Sequence, residues 1–254
     1  MAKNWTEKEL LIAMNLYCRL PFGQFDQSNK QIREVAEKME RTPSSLSMKL
    51  CNLASLDSYN QNRGVVGLKG ASKLDRKVWN AFQENWATMG EKSEAAFELL
   101  MVEQTPSSGH ETSIKTPTGP SETERAIKTR RLQRFFRNTV LASYENRCAL
   151  TGIAIPQLLI ASHIIPWSEN ERRRADPTNG LCLNVLHDKA FDRHLITFDE
   201  DYRLVVSSIL KSGVLPEFQS INFKKLEGSK LHLPHRFTPD PKALEEHRNA
   251  FMAI

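Results

Sequence analysis

The 254-residue sequence predicts an α+β protein in two parts: a mainly helical domain over residues 1–102 and a domain of mixed strands and helices over 123–254, joined by a flexible linker over 103–122. Three observations predict this. Apolar residues recur at helical spacing through the first hundred positions. The stretch "EQTPSSGHETSIKTPTGPSE" is rich in Thr, Ser, Pro and Gly and nearly empty of large apolar side chains, the composition of a mobile connector. Beyond it come short apolar runs bounded by Pro, Gly and Asn-Gly, which read as strands and turns. Each flank is long enough to bury a core of its own.

The first helix is predicted in "WTEKELLIAMNLYCRL", where Thr6 and Glu9 stand at capping-box spacing ahead of an apolar periodicity. The second lies in "SNKQIREVAEKME": Ile32, Val35, Ala36 and Met39 share a face, with Ser28 or Asn29 as cap. The third follows at once, with Thr42 as cap, Pro43 at the first helical position and a stripe of Leu46, Leu50 and Leu53. Two short helices around a tight turn have the layout of a helix-turn-helix, whose second helix enters the major groove of DNA. Ser44, Ser45, Ser47, Lys49 and Asn52 are the side chains expected to face outward, suited to phosphates and base edges. A Gly-bounded piece in "NRGVVGLKG" offers a wing, and an amphipathic helix with Trp79, Phe82 and Trp86 follows. The expectation is a winged-helix-like DNA reader.

No apolar run approaches the roughly eighteen residues of a membrane span, and the start "MAKNWTEKEL" lacks the apolar stretch of a secretion signal. A cytoplasmic protein with no membrane partner is expected. Cys18, Cys51, Cys148 and Cys182 form no CxxC pair and are too few for a disulfide framework, so buried thiols are expected. The net charge of +5 is unevenly spread: "RAIKTRRLQRFFR" carries six basic residues and no acidic one. Such a block, with Arg130, Arg131, Arg134 and Arg137, suits a phosphate backbone, where each neutralised phosphate releases counterions.

In the second part, "CALTG" and "IAIPQLLIASHIIPW" read as a hairpin of two apolar runs around a proline, ending near His163. A polar loop carrying Arg172, Arg173 and Arg174 closes on Asn179-Gly180, then "NVLHDKAFDRHL" reads as a short helix, and "LITFD" and "YRLVVSS" as strands. The closing "PKALEEHRNAFMAI" reads as either a homodimer contact or a packing helix.

The run "CALTG … ASHIIPW … DPTNGLCLNVLHDKAFD … LITFD" resembles the HNH endonuclease family, and the resemblance extends over roughly residues 123–254. It implies a ββα-metal nuclease domain, in which a hairpin and one helix grip a divalent metal ion. It makes His163 the first motif letter and general base, Asn179 the middle letter that holds the loop and orients the base, and His187 the nominal third. The chemistry is coherent: phosphodiester hydrolysis needs a water to lose its proton and negative charge to be neutralised, and a neutral imidazole can take that proton near pH 7. At the metal end, Asp188 and Asp192 stand four apart and share a helical face, whereas His187 and Asp192 do not. All three are candidate ligands. Two carboxylates suit Mg²⁺ or Mn²⁺, and a histidine ligand would widen the choice to Ni²⁺, Co²⁺ or Zn²⁺.

The sequence departs from the wider family at three places. Ser162 precedes the base where many members carry an acidic metal ligand. Cys148 and Cys182 are single, so no zinc knuckle is expected. His194 stands after "FDR" where a small residue is expected. The function expected is a metal-dependent restriction-type endonuclease acting on double-stranded DNA, with a reader that senses a modified base such as methylated adenine. The alternatives are a DNA-binding regulator with an inactive nuclease-like domain, and a non-specific or homing-type nuclease.

Overall fold

A computed structural model describes residues 4–57, 70–102 and 120–253. It is α+β, with a mainly helical first part and small two-stranded sheets with helices in the second. Packing divides the chain into two compact units, Met1–Asn138 and Thr139–Ile254.

The first unit begins with α1 (Glu7–Arg19), α2 (Lys30–Lys38) and α3 (Pro43–Ala54). Their starts are written in the sequence. The Thr6 hydroxyl accepts from Glu9 N while the Glu9 carboxylate accepts from Thr6 N at 2.7 Å, Asn29 caps α2 through Gln31 N and Ile32 N, and Thr42 caps α3 ahead of Pro43. Two further helices follow, α4 (Lys73–Glu84) and α5 (Trp86–Val102). Asn85, with φ −155° and ψ 85°, separates them, so Trp86 opens a helix of its own rather than ending the one that holds Trp79 and Phe82. The basic stretch lies on α6 (Pro120–Ser143), inside which the two units meet in sequence.

The core of this unit joins the apolar stripes of α1 and α3 to an aromatic cluster. Phe82 packs on Trp86 at 5.4 Å between ring centroids and on Phe135 at 6.1 Å. Gly90 of α5 is there for space: a Cβ on it would sit 2.8 Å from Cδ1 of Phe135. The Gly-bounded piece offered as a wing lies, apart from Gly70, outside the described residues, as does the expected linker up to residue 119.

In the second unit β1 (Leu159–His163) pairs antiparallel with β2 (Gly180–Asn184), in a register that sets Leu159 opposite Asn184 and His163 opposite Gly180. This corrects the expected hairpin. The partner of the "LIASH" strand is "GLCLN", across the long polar loop, and not the preceding "IAIP". Pro156 lies in a short 3-10 turn that leads into β1, whereas every residue of β2 is buried, so pairing across the loop buries more apolar surface. α7 (Val185–Asp192) leaves β2 directly, capped by Asn184, whose side-chain oxygen accepts from Leu186 N at 3.1 Å and His187 N at 3.0 Å. A second hairpin follows, β3 (Ile196–Phe198) with β4 (Leu204–Val206). After it come α8 (Ser208–Lys211), α9 (Glu217–Asn222) and α10 (Pro241–Met252). α7 packs on both strands of the first hairpin and α10 on β3.

Candidate active site

The β1–β2 register brings the end of one strand beside the start of the other, so His163 and Asn179 meet although sixteen residues separate them in sequence. Asn179 is 1 % exposed and its amide is fully used. Its oxygen accepts from Ile165 N at 2.9 Å, and its nitrogen donates to Ile165 O at 3.1 Å and Arg173 O at 3.3 Å. Ile164 N donates to the Asn179 backbone carbonyl at 2.9 Å. One side chain that donates and accepts without titrating thus ties both ends of the loop together.

That loop in turn fixes the His163 ring. Nε2–H of His163 donates to Arg174 O at 3.0 Å, which assigns the proton to Nε2 and the lone pair to Nδ1. Trp167 meets the ring edge-on at 5.6 Å. Burial holds the imidazole below its ordinary pKa, with the Arg174 carbonyl and the Asp192 carboxylate opposing, so His163 is neutral at pH 7.

His163, Asp188 and Asp192 line one cavity of about 450 Å³, together with Trp167, His194 and His247. Asp188 and Asp192 stand one turn apart on α7. Asp188 is raised above the usual carboxylate range, first by burial and further by the charge of Asp192, with Ser162 working against the shift. Such a pair suits a hard cation, which would neutralise both charges. Among the described residues no group of three or more His, Cys, Asp or Glu side chains converges to enclose a metal ion. Asp188 and Asp192 offer oxygen donors of the kind a divalent cation takes.

His187, expected as a ligand and catalytic residue, does not line this cavity. It is 0 % exposed. Its Nε2–H donates to Asn222 O at 2.8 Å, its ring meets Phe223 edge-on at 5.6 Å, and it lies beside Cys148. The step of one residue along α7 rotates His187 into the core while Asp188 stays at the cavity. All four cysteines are free thiols.

The expected DNA contacts divide. On α3, Ser44 is exposed and Ser45 half-buried, but the Ser47 hydroxyl donates to Phe25 O, and Lys49 and Asn52 are 6 % and 8 % exposed. Lys49 Nζ lies 2.8 Å from Asp75 Oδ1 and 5.0 Å from the centre of the Trp5 ring. The helix face expected to be open is covered by α4, which supplies Asp75. On α6, Arg130 is exposed, Arg137 half-buried, Arg131 pairs with Glu98 at 2.8 Å and Glu91 at 3.0 Å, and Arg134 pairs with Glu98 at 2.5 Å. In the loop Arg172 is exposed, Arg173 pairs with Asp240, and Arg174 donates to Trp167 O at 2.9 Å. Lys49, Arg131, Arg134, Arg173 and Arg174 thus hold structure together.

Sequence reasoning missed His247 and the loop carbonyl of Arg174. His247 had a signal: Ala243, Leu244 and His247 fall on the buried stripe of α10. A backbone carbonyl leaves no signal in residue type.

Residues 148–199, about a fifth of the chain, match the HNH endonuclease family. Comparison with curated proteins gave no match. The matched segment runs from Cys148 through β1, the loop, β2 and α7 to the end of β3, and contains His163, Asn179, Asp188 and Asp192. The protein therefore carries an HNH endonuclease domain over residues 148–199, and nucleic acid is the substrate class that this domain implies.

Proposed function

We propose that the protein is a metal-dependent, restriction-type endonuclease acting on double-stranded DNA, with the helical unit as reader and the HNH unit as nuclease. The observation that carries the reading is a neutral imidazole, its tautomer fixed by Arg174 O, in the same cavity as two turn-spaced carboxylates. His163 takes the proton of the attacking water at Nδ1 and Asn179 keeps the loop, and with it Arg174 O, in position. HNH nucleases generally use a divalent metal; here Asp188 and Asp192 would hold it, and it would supply charge neutralisation at the phosphate and leaving oxygen.

The reader is proposed to sense a modified base such as methylated adenine. Two features support a DNA-contacting role for this unit: the helix–turn–helix order of α2 and α3, and a cleft of about 810 Å³ lined by Trp5, Arg41, Thr42, Ser45, Lys49 and Ser72. The Trp5 ring carries Arg41 at 4.1 Å and Lys49 at 5.0 Å, so what the cleft offers a duplex is cationic groups and short hydroxyls, which suit phosphates. A separate reader gives a nuclease core its preferred sites by raising effective concentration there.

The test is incubation of the protein and its His163→Ala variant with Dam-methylated and unmethylated plasmid in Mg²⁺, Mn²⁺ or EDTA. Discrete fragments from the methylated plasmid alone, absent with EDTA and reduced about 100- to 10,000-fold in the variant, are expected. Equal cleavage of both plasmids would remove the methylation sensing. Undiminished cleavage by His163→Ala would remove the assigned base, and no cleavage of any nucleic acid would remove the endonuclease reading.

A further inference from the structure

The cavity of His163, Asp188 and Asp192 holds another imidazole for which the hydrolytic scheme has no use. His194 follows α7, at the point where the chain turns out of the helix. The turn is closed by two backbone hydrogen bonds, His194 N to Phe191 O at 2.9 Å and Leu195 N to Ala190 O at 2.8 Å. This pairing is the Schellman closure, whose pivotal residue takes a left-handed conformation and is usually glycine. Here the pivot is a histidine at φ 51°. Histidine tolerates that region better than most residues but less well than glycine. Glu40 and Glu145 close helices in the same way at φ 53° and 54°; what sets His194 apart is that its side chain lines the cavity.

One neighbouring ring packs against it. His247, 4.6 Å away between centroids, backs it. His247 is itself stacked on Phe191 at 3.7 Å, donates from Nε2 to Phe191 O at 3.1 Å and accepts at Nδ1 from the Thr197 hydroxyl at 2.9 Å. On His194, Nδ1 is shut off from solvent with no hydrogen-bond partner among the described residues. A proton there would be a buried donor with no acceptor. The tautomer that avoids this carries its proton on Nε2, the nitrogen left for the cavity.

We propose that His194 is a substrate-contacting residue: from the left-handed end of α7 it presents an imidazole N–H to an oxygen of the phosphodiester held in the cavity. The inference rests on the endonuclease reading above and adds to it a donor on the α7 side of the cavity.

The test compares the full-length wild type with His194→Gly and His194→Asn, measuring thermal unfolding, kcat and KM on the DNA that the wild type cleaves, and affinity for a mixed-sequence duplex. Glycine keeps the turn and removes the donor; asparagine tolerates the turn and restores an N–H. His194→Gly is expected to unfold at the same or a higher temperature while kcat/KM falls about 10- to 100-fold, and His194→Asn to recover most of that loss. Wild-type kcat/KM in His194→Gly would overturn the proposal, as would a loss matched by lowered thermal stability or not relieved by asparagine. If the wild type cleaves nothing, the endonuclease reading has failed on its own, and duplex affinity then decides: weaker binding by His194→Gly, restored in His194→Asn, supports the contact, and equal binding overturns it.

Discussion

At the scale of single residues, the histidines of the second unit serve different ends, and their environments explain the difference. His163 has one nitrogen committed to Arg174 O and lines the cavity, and burial holds its pKa below the ordinary value. His187 is sealed in the core. His247 is also spent on structure, with both nitrogens bonded and its ring flat on Phe191. Burial, with the neighbouring His194 adding to it and Phe191 O opposing, lowers the pKa of His247 to about 4. The unfolded chain restores it to about 6.5. Between these values the unfolded state binds a proton that the native state refuses, so the contribution is fully present above pH 6.5 and is lost as pH falls toward 4. The expected loss between pH 7.5 and 4.5 is on the order of 2–3 kcal/mol. Denaturant unfolding of the wild type and of His247→Phe, which keeps the stack without titrating, measures it. A pH dependence identical in both proteins would show that His247 is not the responsible group.

At the scale of elements, α7 is the piece on which the candidate site depends, because eight residues carry both carboxylates and begin at the end of β2. Its start rests on Asn184, which satisfies two of the amides that a helix N-terminus leaves open. Asn184→Ala is expected to cost about 1 kcal/mol of stability and to raise the metal concentration needed for half-maximal cleavage. An unaltered metal requirement would separate the cap from the site. Local signals of this kind made much of the fold legible: the Thr6–Glu9 box, Thr42–Pro43 and the Asn29 cap announce α1 to α3 before any tertiary contact is known. The β1–β2 pairing was not legible in the same way. Strand partners are chosen by the apolar area they bury across a sixteen-residue gap, and "IAIP" looked as apolar as "GLCLN". At the site, the spacing of Asp188 and Asp192 told which helix face they share. The inward turn of His187 depended on Phe223 and Asn222, more than thirty residues on. The open face expected on α3 failed for the same reason: Lys49 reads as a solvated cation until Asp75 of α4 is placed beside it.

At the scale of the whole molecule, a net charge of +5 says less about DNA contacts than the pairing of individual cations does. Arg131 is engaged by two glutamates of α5 and Arg173 by Asp240, whereas Arg130 and Arg172 are exposed. An arginine held by carboxylates must give up those partners before it can neutralise a phosphate, and that exchange releases little net counterion. The two classes should separate in a salt titration. For each phosphate contact removed, the slope of log affinity against log salt should fall by about 0.9 on duplex DNA. Arg130→Ala and Arg172→Ala are each expected to flatten the slope by roughly that amount with little effect on unfolding. Arg131→Ala is expected to leave the slope close to wild type and to lower stability by about 1 kcal/mol, the scale of a partly exposed ion-pair network. Fluorescence anisotropy on a labelled duplex across a salt series, beside denaturant unfolding of the same variants, reads both quantities. If Arg131→Ala flattens the slope as much as Arg130→Ala, its glutamate partners yield to DNA, and the ion pairs of α6 with α5 are ones that binding opens.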